Sequence, residues 1–216
     1  LQQRCCYMRC PVRGNQEGGV RVSKNILVVY KKNFEDVHDD ALDIVKNTLE
    51  KIGEDLDINV NYSAREKVSR EDFIERDLVV VLGGDGTLTS IAHSVDENTP
   101  VMGVNSHPRD MDNDGSYGFY MGSDPINFKE DIQKALSNNA IVNILPRLQA
   151  EISTTSGNII RSDPALNDLL LANTHQYQPS KYKLQRKEDT KNSEINCVQY
   201  SSGCLFSTFL GQGAWY

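Results

Sequence analysis

Residues 78 to 89 read Leu78-Val79-Val80-Val81-Leu82-Gly83-Gly84-Asp85-Gly86-Thr87-Leu88-Thr89. Five apolar residues in a row, three of them β-branched, suit a short strand buried on both faces. The three glycines behind them predict a tight turn where no Cβ keeps the backbone from a ligand and where N–H groups cradle an anion. Asp85 lies in that turn. A carboxylate in a phosphate-binding turn is there to hold a cation or to accept a proton. Thr87 opens a helix, predicted over 87–95, whose N-terminal dipole adds to the anion site. Gly-Gly and Asp-Gly are also ordinary turn dipeptides, but a turn alone does not require three glycines around an acid directly behind a buried strand. The stretch has neither the Gly-Lys-Ser/Thr of a Walker loop nor a dinucleotide-binding G-x-G-x-x-G.

Working outward, the chain alternates. Ile26 to Tyr30 reads as a strand, and 36–52 as a helix with Val37, Ala41, Ile44, Val45, Leu49 and Ile52 on one face. Leu56 to Tyr62 reads as a second strand. Ser69 caps a short helix with an acidic first turn that leads back to the glycine-turn strand. Pro100 to Val104 follows as a further strand and 125–136 as a helix. This order predicts a parallel sheet with helices on both faces, its ligand at the carboxyl ends of the strands. The Asp-rich loop from Ser106 to Ser116 reads as a mobile surface segment. Beyond residue 140 the helical period disappears, and strands are predicted at 141–145, 149–154, 165–172, 181–185, 195–200 and 203–208. Three regions result: an irregular 1–23, an α/β lobe over 24–140, and a β-rich lobe over 141–216.

The 216 residues carry a net charge of −7, with Lys and Arg scattered along the chain, which argues against a nucleic-acid partner. The apolar runs are strand-length, so no transmembrane helix is expected. Five cysteines, Cys5, Cys6, Cys10, Cys197 and Cys204, form no disulfide framework. The first three lack a Cys-x-x-Cys pair, so no metal site is expected there and reduced thiols of an intracellular, cytoplasmic protein are. Arg4, Arg9 and Arg13, with no acid among residues 1–16, have the composition of an organellar targeting segment, which leaves mitochondrial delivery open.

Three motifs in series then resemble one family. Gly83-Gly84-Asp85-Gly86-Thr87, Asn167-Asp168 within Ala-Leu-Asn-Asp, and Ser201-Ser202-Gly203 followed by Ser207-Thr208-x-x-Gly211-x-x-Ala214 resemble, in order and approximate spacing, the NAD kinases. Val104-Asn105-Ser106-His107-Pro108 is similar to the Val-Asn-Ser/Thr-Asp-Pro stretch of the plant NADH kinase and mitochondrial NAD kinase branch. The resemblance implies an α/β lobe, a sandwich-like β lobe and a dinucleotide in the cleft between them. It implies transfer of the γ-phosphoryl group of ATP, as a magnesium complex, to the adenosine ribose 2′-hydroxyl of NAD⁺ or NADH. Asp85 would be the catalytic base. Gly83, Gly84, Gly86, Thr87 and Asn105 would serve the nucleotide, and Asn167, Asp168, Ser207, Thr208, Gly211 and Ala214 the dinucleotide. An amide can read an adenine edge and a carboxylate accepts from ribose hydroxyls, which suits Asn167 and Asp168. In an apolar strand these two polar residues would otherwise lack partners. The family often forms homo-oligomers.

Two departures qualify the expectation. Leu210, Gln212 and Gly213 stand where the family usually has hydroxyl residues, each lost hydrogen bond costing about 1–3 kcal/mol. Family members also continue past the position of Tyr216, so the chain reads as C-terminally incomplete and a poor enzyme by itself. His107 replaces the branch's Asp and is expected to be an exposed loop histidine. Two other readings are a non-catalytic dinucleotide-binding remnant of the family and a lipid kinase of the diacylglycerol type, which shares the Gly-Gly-Asp-Gly-Thr turn but needs neither Asn167-Asp168 nor Ser-Ser-Gly.

Overall fold

The computed structural model describes residues 23–32, 36–110, 113–175, 177–185 and 196–213. They fall into two units, one ending at Leu145 and one beginning at Pro146. The first runs β1 (Lys24–Tyr30), α1 (Asp36–Asp55), β2 (Ile58–Ala64), a 3-10 turn (Arg70–Phe73), β3 (Leu78–Gly83), α2 (Asp85–Ile91), β4 (Val101–Asn105) and α3 (Phe128–Leu136). Its four strands are all parallel, in the order β2-β1-β3-β4.

Burial explains the order. Every residue of β3 is buried, as a central strand covered on both faces requires. At the edge, β2 alternates half-buried Ile58 and Val60 with exposed Asn59 and Asn61. On α1 the buried stripe is Ala41, Leu42, Val45, Leu49 and Ile52, packed with Phe128, Ile132 and Leu136 of α3 onto Ile26, Val28, Val80 and Leu82. Burying each larger side chain of this kind stabilises the unit by about 1.5–3 kcal/mol. Ile44, expected in the stripe, is 43% exposed, because it lies farther round the helix from the stripe's midline than Leu42 does.

The Ser69 cap forms as expected. Its backbone N–H and hydroxyl both donate to Asp72 Oδ2, at 2.7 and 3.0 Å. The Ser69 N–H first, and its hydroxyl second, hold the Asp72 carboxyl below its ordinary range. A carboxyl lowered by folding stabilises the native state above its unfolded-state value, and that contribution is lost as pH falls through the folded-state value. Asp72→Asn is therefore expected to cost about 0.5–1 kcal/mol at neutral pH, with the difference vanishing in strong acid. Urea titrations of both proteins at the two pH values check this.

Chain connections leave β1 and β3 in opposite directions, toward β2 and β4, so the sheet's switch point lies between them. Ligands of open α/β sheets bind at the carboxyl ends of strands there. Gly83 ends β3 at that point. Beyond β4, the stretch through Ser123 closes the outer edge of the sheet: Asn105 N–H donates to Ser123 O at 2.8 Å and Ser123 N–H to Gly103 O at 3.1 Å. A Cβ on Gly103 would stand 2.8 Å from the Tyr120 carbonyl, so this covering segment needs glycine beneath it.

The second unit is made of antiparallel pairs. Strands β5 (Glu151–Ser153), β6 (Ile159–Arg161), β7 (Asp168–Leu171), β8 (Ser180–Gln185), β9 (Asn196–Ser201) and β10 (Cys204–Ser207) form three two-stranded sheets, β5-β6, β7-β10 and β8-β9. The expected α/β unit followed by an all-β unit is thus what the described residues form. The strand expected at 141–145 is absent. Ile141, Val142 and Ile144 are exposed there and pair with nothing, and β-forming side chains make a strand only against a partner. Residues 1–22, with Cys5, Cys6, Cys10 and the arginine-bearing segment, lie outside the described residues. Among the described residues no helix is long and apolar enough to cross a membrane.

Candidate active site

The glycine turn is built differently at each glycine. A Cβ on Gly83 would lie 2.3 Å from Thr87 Oγ1, and one on Gly84 would lie 3.2 Å from Ser116 Oγ. Those two glycines make room for the protein's own side chains. Gly86 alone of the three is open, with nothing within 4 Å of a Cβ there. Thr87 is buried beneath the turn, its N–H donating to Gly84 O at 2.9 Å.

Asp85 is the first residue of α2, two residues before the expected start, and is half-buried. Its carboxylate turns to the segment that follows the Asp-rich loop. Phe119 N–H donates to Oδ2 at 2.8 Å and Tyr120 N–H to Oδ1 at 2.7 Å. Hydrogen bonds to a charged group are each worth about 1.5–3 kcal/mol, enough to hold the side chain in one orientation. A carboxylate has about four lone-pair sites, so two remain to accept a proton or hydroxyl.

Asn105, buried at the end of β4, ties the loop down. Its Nδ2 donates to Ser116 O at 3.1 Å, and its Oδ1 accepts from Ser116 Oγ at 2.8 Å and from His107 N–H at 3.3 Å. Arg109 N–H to Ser116 O and Ser116 N–H to His107 O close the loop's base at 3.0 and 2.8 Å. The loop expected to be mobile is therefore anchored at both ends. Ser106 is buried, its N–H on Gly83 O at 3.0 Å and its Oγ 2.7 Å from Nδ1 of buried His38. His107, expected to be exposed, is half-buried with its ring edge-on to that of His38, 6.2 Å between centroids.

Two features here carry little or no signal in the sequence. His38 is a single residue on a helix among acids, with no pattern to mark it. The stretch Tyr117-Gly118-Phe119-Tyr120 did carry a signal, a glycine flanked by aromatics directly after a polar loop. Gly118 has φ of +63°, and a Cβ there would stand 2.5 Å from Asn105 Nδ2.

In the second unit five of the expected residues meet. Ser207 pairs with Asp168 across β10 and β7. Thr208 N–H donates to Asn167 O at 2.8 Å, and buried Thr208 Oγ1 donates to Leu166 O at 2.8 Å while accepting Gly211 N–H at 3.0 Å. A Cβ on Gly211 would lie 2.1 Å from Asn167 O. Asn167 lies in a bend and the strand begins at Asp168, not at Ala165, so the pair marks a strand start rather than its interior. Ala214 lies outside the described residues. Among the described residues no group of three His, Cys, Asp or Glu side chains stands ready to hold a metal ion.

This geometry can be set beside known proteins. A family model for the ATP-NAD kinase N-terminal domain matches residues 29–140, taking in β2, β3 and β4, the glycine turn and the Asp85-holding segment. The chain belongs to the ATP-NAD kinase family. A probable NADH kinase of Oryza sativa subsp. japonica is 25% identical over 207 residues, which are 90% of this chain and 60% of that protein. An NAD kinase of Pseudomonas fluorescens (strain SBW25) is 29% identical over 140 residues, 64% of this chain and 43% of that protein. Among solved structures, yeast NADH kinase complexed with NADH matches with a TM-score of 0.56 at 17% identity, over 89% of this chain and 60% of that one. That likeness shows the ATP-NAD kinase fold. The chain spans no more than about 60% of the length of these relatives. Membership in this family leaves the lipid-kinase reading without favour.

Proposed function

We propose that the protein phosphorylates NAD⁺ or NADH at the adenosine ribose 2′-hydroxyl, with MgATP as donor. The observation that carries this reading is the position of Asp85, a half-buried carboxylate held by two N–H groups directly after the switch-point strand. In the proposed step the 2′-oxygen attacks the γ-phosphorus, the bond from that phosphorus to the β,γ-bridging oxygen breaks, and ADP leaves. The hydroxyl proton passes to a remaining lone pair of Asp85. Holding the carboxylate in place before the reaction favours the transition state, because no reorientation is needed as charge develops. Magnesium enters as part of the MgATP substrate, on its phosphates.

The reading divides the labour: residues 24–140 carry the phosphoryl chemistry and 141–216 the dinucleotide. Gly86 provides the open side of the phosphate turn, Gly83, Gly84 and Thr87 shape it, and Asn105 fixes the loop above it. Asn167 and Asp168 read the dinucleotide, with Ser207, Thr208, Gly211 and Ala214 completing that site. The same reading has a small-molecule enzyme that works as a homo-oligomer inside the cell, in cytoplasm or mitochondria, with neither nucleic acid nor membrane as partner. The direct test incubates the protein with MgATP and either NAD⁺ or NADH and measures NADP⁺ or NADPH; binding of the dinucleotide without any product would overturn the kinase reading in favour of a binding protein. Asn167→Ala and Asp168→Ala are each expected to weaken dinucleotide binding by about 1–3 kcal/mol, read by calorimetry. Unchanged affinity in both would leave the pair a purely structural strand start.

A further inference from the structure

Arg109 and Tyr117 belong to neither the glycine turn nor the dinucleotide motifs. They stand at opposite ends of the Asp-rich loop, and the loop's closure brings them together: the Arg109 guanidinium lies over the exposed Tyr117 ring, 4.4 Å from its centroid. Both line a cavity of about 290 Å³ with Asn105, Ser116, Phe119 and Asp124. An arginine stacked on an aromatic face has its plane fixed while its N–H edge stays free for a planar or tetrahedral oxyanion. Among the described residues no carboxylate lies within ion-pair distance of Arg109. Two carboxylates line the cavity, and one of them is engaged, Asp124 Oδ1 accepting from the Ile126 and Asn127 N–H groups and Oδ2 from Asn127 Nδ2. The other, Asp110, follows Arg109 in the chain and is exposed to solvent.

The cavity is also joined to Asp85. Tyr117 is two residues from Phe119, whose N–H holds Asp85 Oδ2, and Ser116 is bonded through its carbonyl and its hydroxyl to Asn105 at the end of β4. A ligand on Arg109 is thus held on the same short scaffold as the carboxylate. We infer that Arg109, oriented by Tyr117, binds a phosphate group of the nucleotide substrate, an inference that rests on the kinase reading above. The phosphate belongs to the triphosphate of MgATP or to the diphosphate of the dinucleotide.

Calorimetric binding of MgATP, NAD⁺ and phosphate-free adenosine to the unsubstituted chain and to R109A, R109K and Y117A tests it. R109A is expected to weaken at least one phosphate-bearing ligand by about 10-fold or more and to flatten its salt dependence, while adenosine binding is unchanged. R109K should recover only part of the loss, because an ammonium neither stacks nor binds in a fork. Y117A should weaken binding by roughly 3-fold through Arg109. Loss confined to MgATP assigns the donor phosphates, and loss confined to NAD⁺ the diphosphate. Equal affinity of R109A and the unsubstituted chain for both phosphate-bearing ligands overturns the inference alone. Failure of the unsubstituted chain to bind any of the three overturns the kinase reading, and the inference with it. Both residues are exposed, so a thermal melt matching that of the unsubstituted chain shows that the fold is retained.

Discussion

Asp85→Asn is expected to lower turnover by about 100-fold or more in the natural protein, the scale of losing a general base. The structure adds a second consequence. Asp85 accepts two N–H groups, one on each oxygen, and an asparagine amide offers only one oxygen. Either Phe119 or Tyr120 then faces an NH₂ group with an unpaired N–H, at a cost of about 1–3 kcal/mol. The variant should therefore melt earlier as well as react more slowly. The two effects separate if turnover at saturating MgATP and dinucleotide is measured well below the variant's melting temperature. A loss of turnover that disappears on cooling would make Asp85 a clamp for the 117–120 segment and nothing more. Near-normal turnover at every temperature would remove it from the mechanism.

Much of the first unit was legible because its signals are long. Five apolar residues at 78–82 can hardly be anything but a buried strand, and α1 shows its stripe over more than four turns. What the sequence hid is what depends on contacts across the fold. The glycines at 83 and 84 read as space for phosphate, yet the structure fills that space with Thr87 and Ser116. Asp85 read as lying among turn N–H groups, yet its partners come from residues more than thirty positions away. In the second unit the hairpin β5-β6 closes through Thr154 and Asn158 around Gly157, at φ of +87°. Its return strand, Ile159–Arg161, has three residues, too few to show a period of two. Asn167-Asp168 lies about forty residues before Ser207-Thr208 and Gly211 in sequence. The resemblance alone grouped them in the sequence, and pairing of β7 with β10 is the contact that brings them together.

At that convergence Gly211 is, among the described glycines of the second unit, the one where a Cβ would meet backbone most closely. Gly211→Ala would set a Cβ 2.1 Å from the Asn167 carbonyl oxygen and 2.4 Å from its Cα, both backbone atoms that no rotamer change can move. Relief requires the Thr208–Gly211 turn to withdraw by roughly 1 Å, since close-packed interiors leave no slack of that size. Thr208 N–H donates to that same carbonyl at 2.8 Å, so withdrawal breaks the bond that fixes Asn167 and shifts Asp168 against Ser207. Dinucleotide affinity is expected to fall by about 100-fold or more, the sum of two polar contacts at 1–3 kcal/mol each. Thr208→Val gives the milder comparison. It inserts no atom beyond the original outline but removes the hydroxyl joining Leu166 O to Gly211 N–H, and should weaken binding by about 10-fold. Calorimetric titration of NAD⁺ or NADH into both variants decides the matter. Wild-type affinity in Gly211→Ala would mean that the turn moves without disturbing Asn167; loss in Gly211→Ala with full affinity in Thr208→Val would place the sensitivity in steric contact and take the buried hydroxyl out of the site's construction.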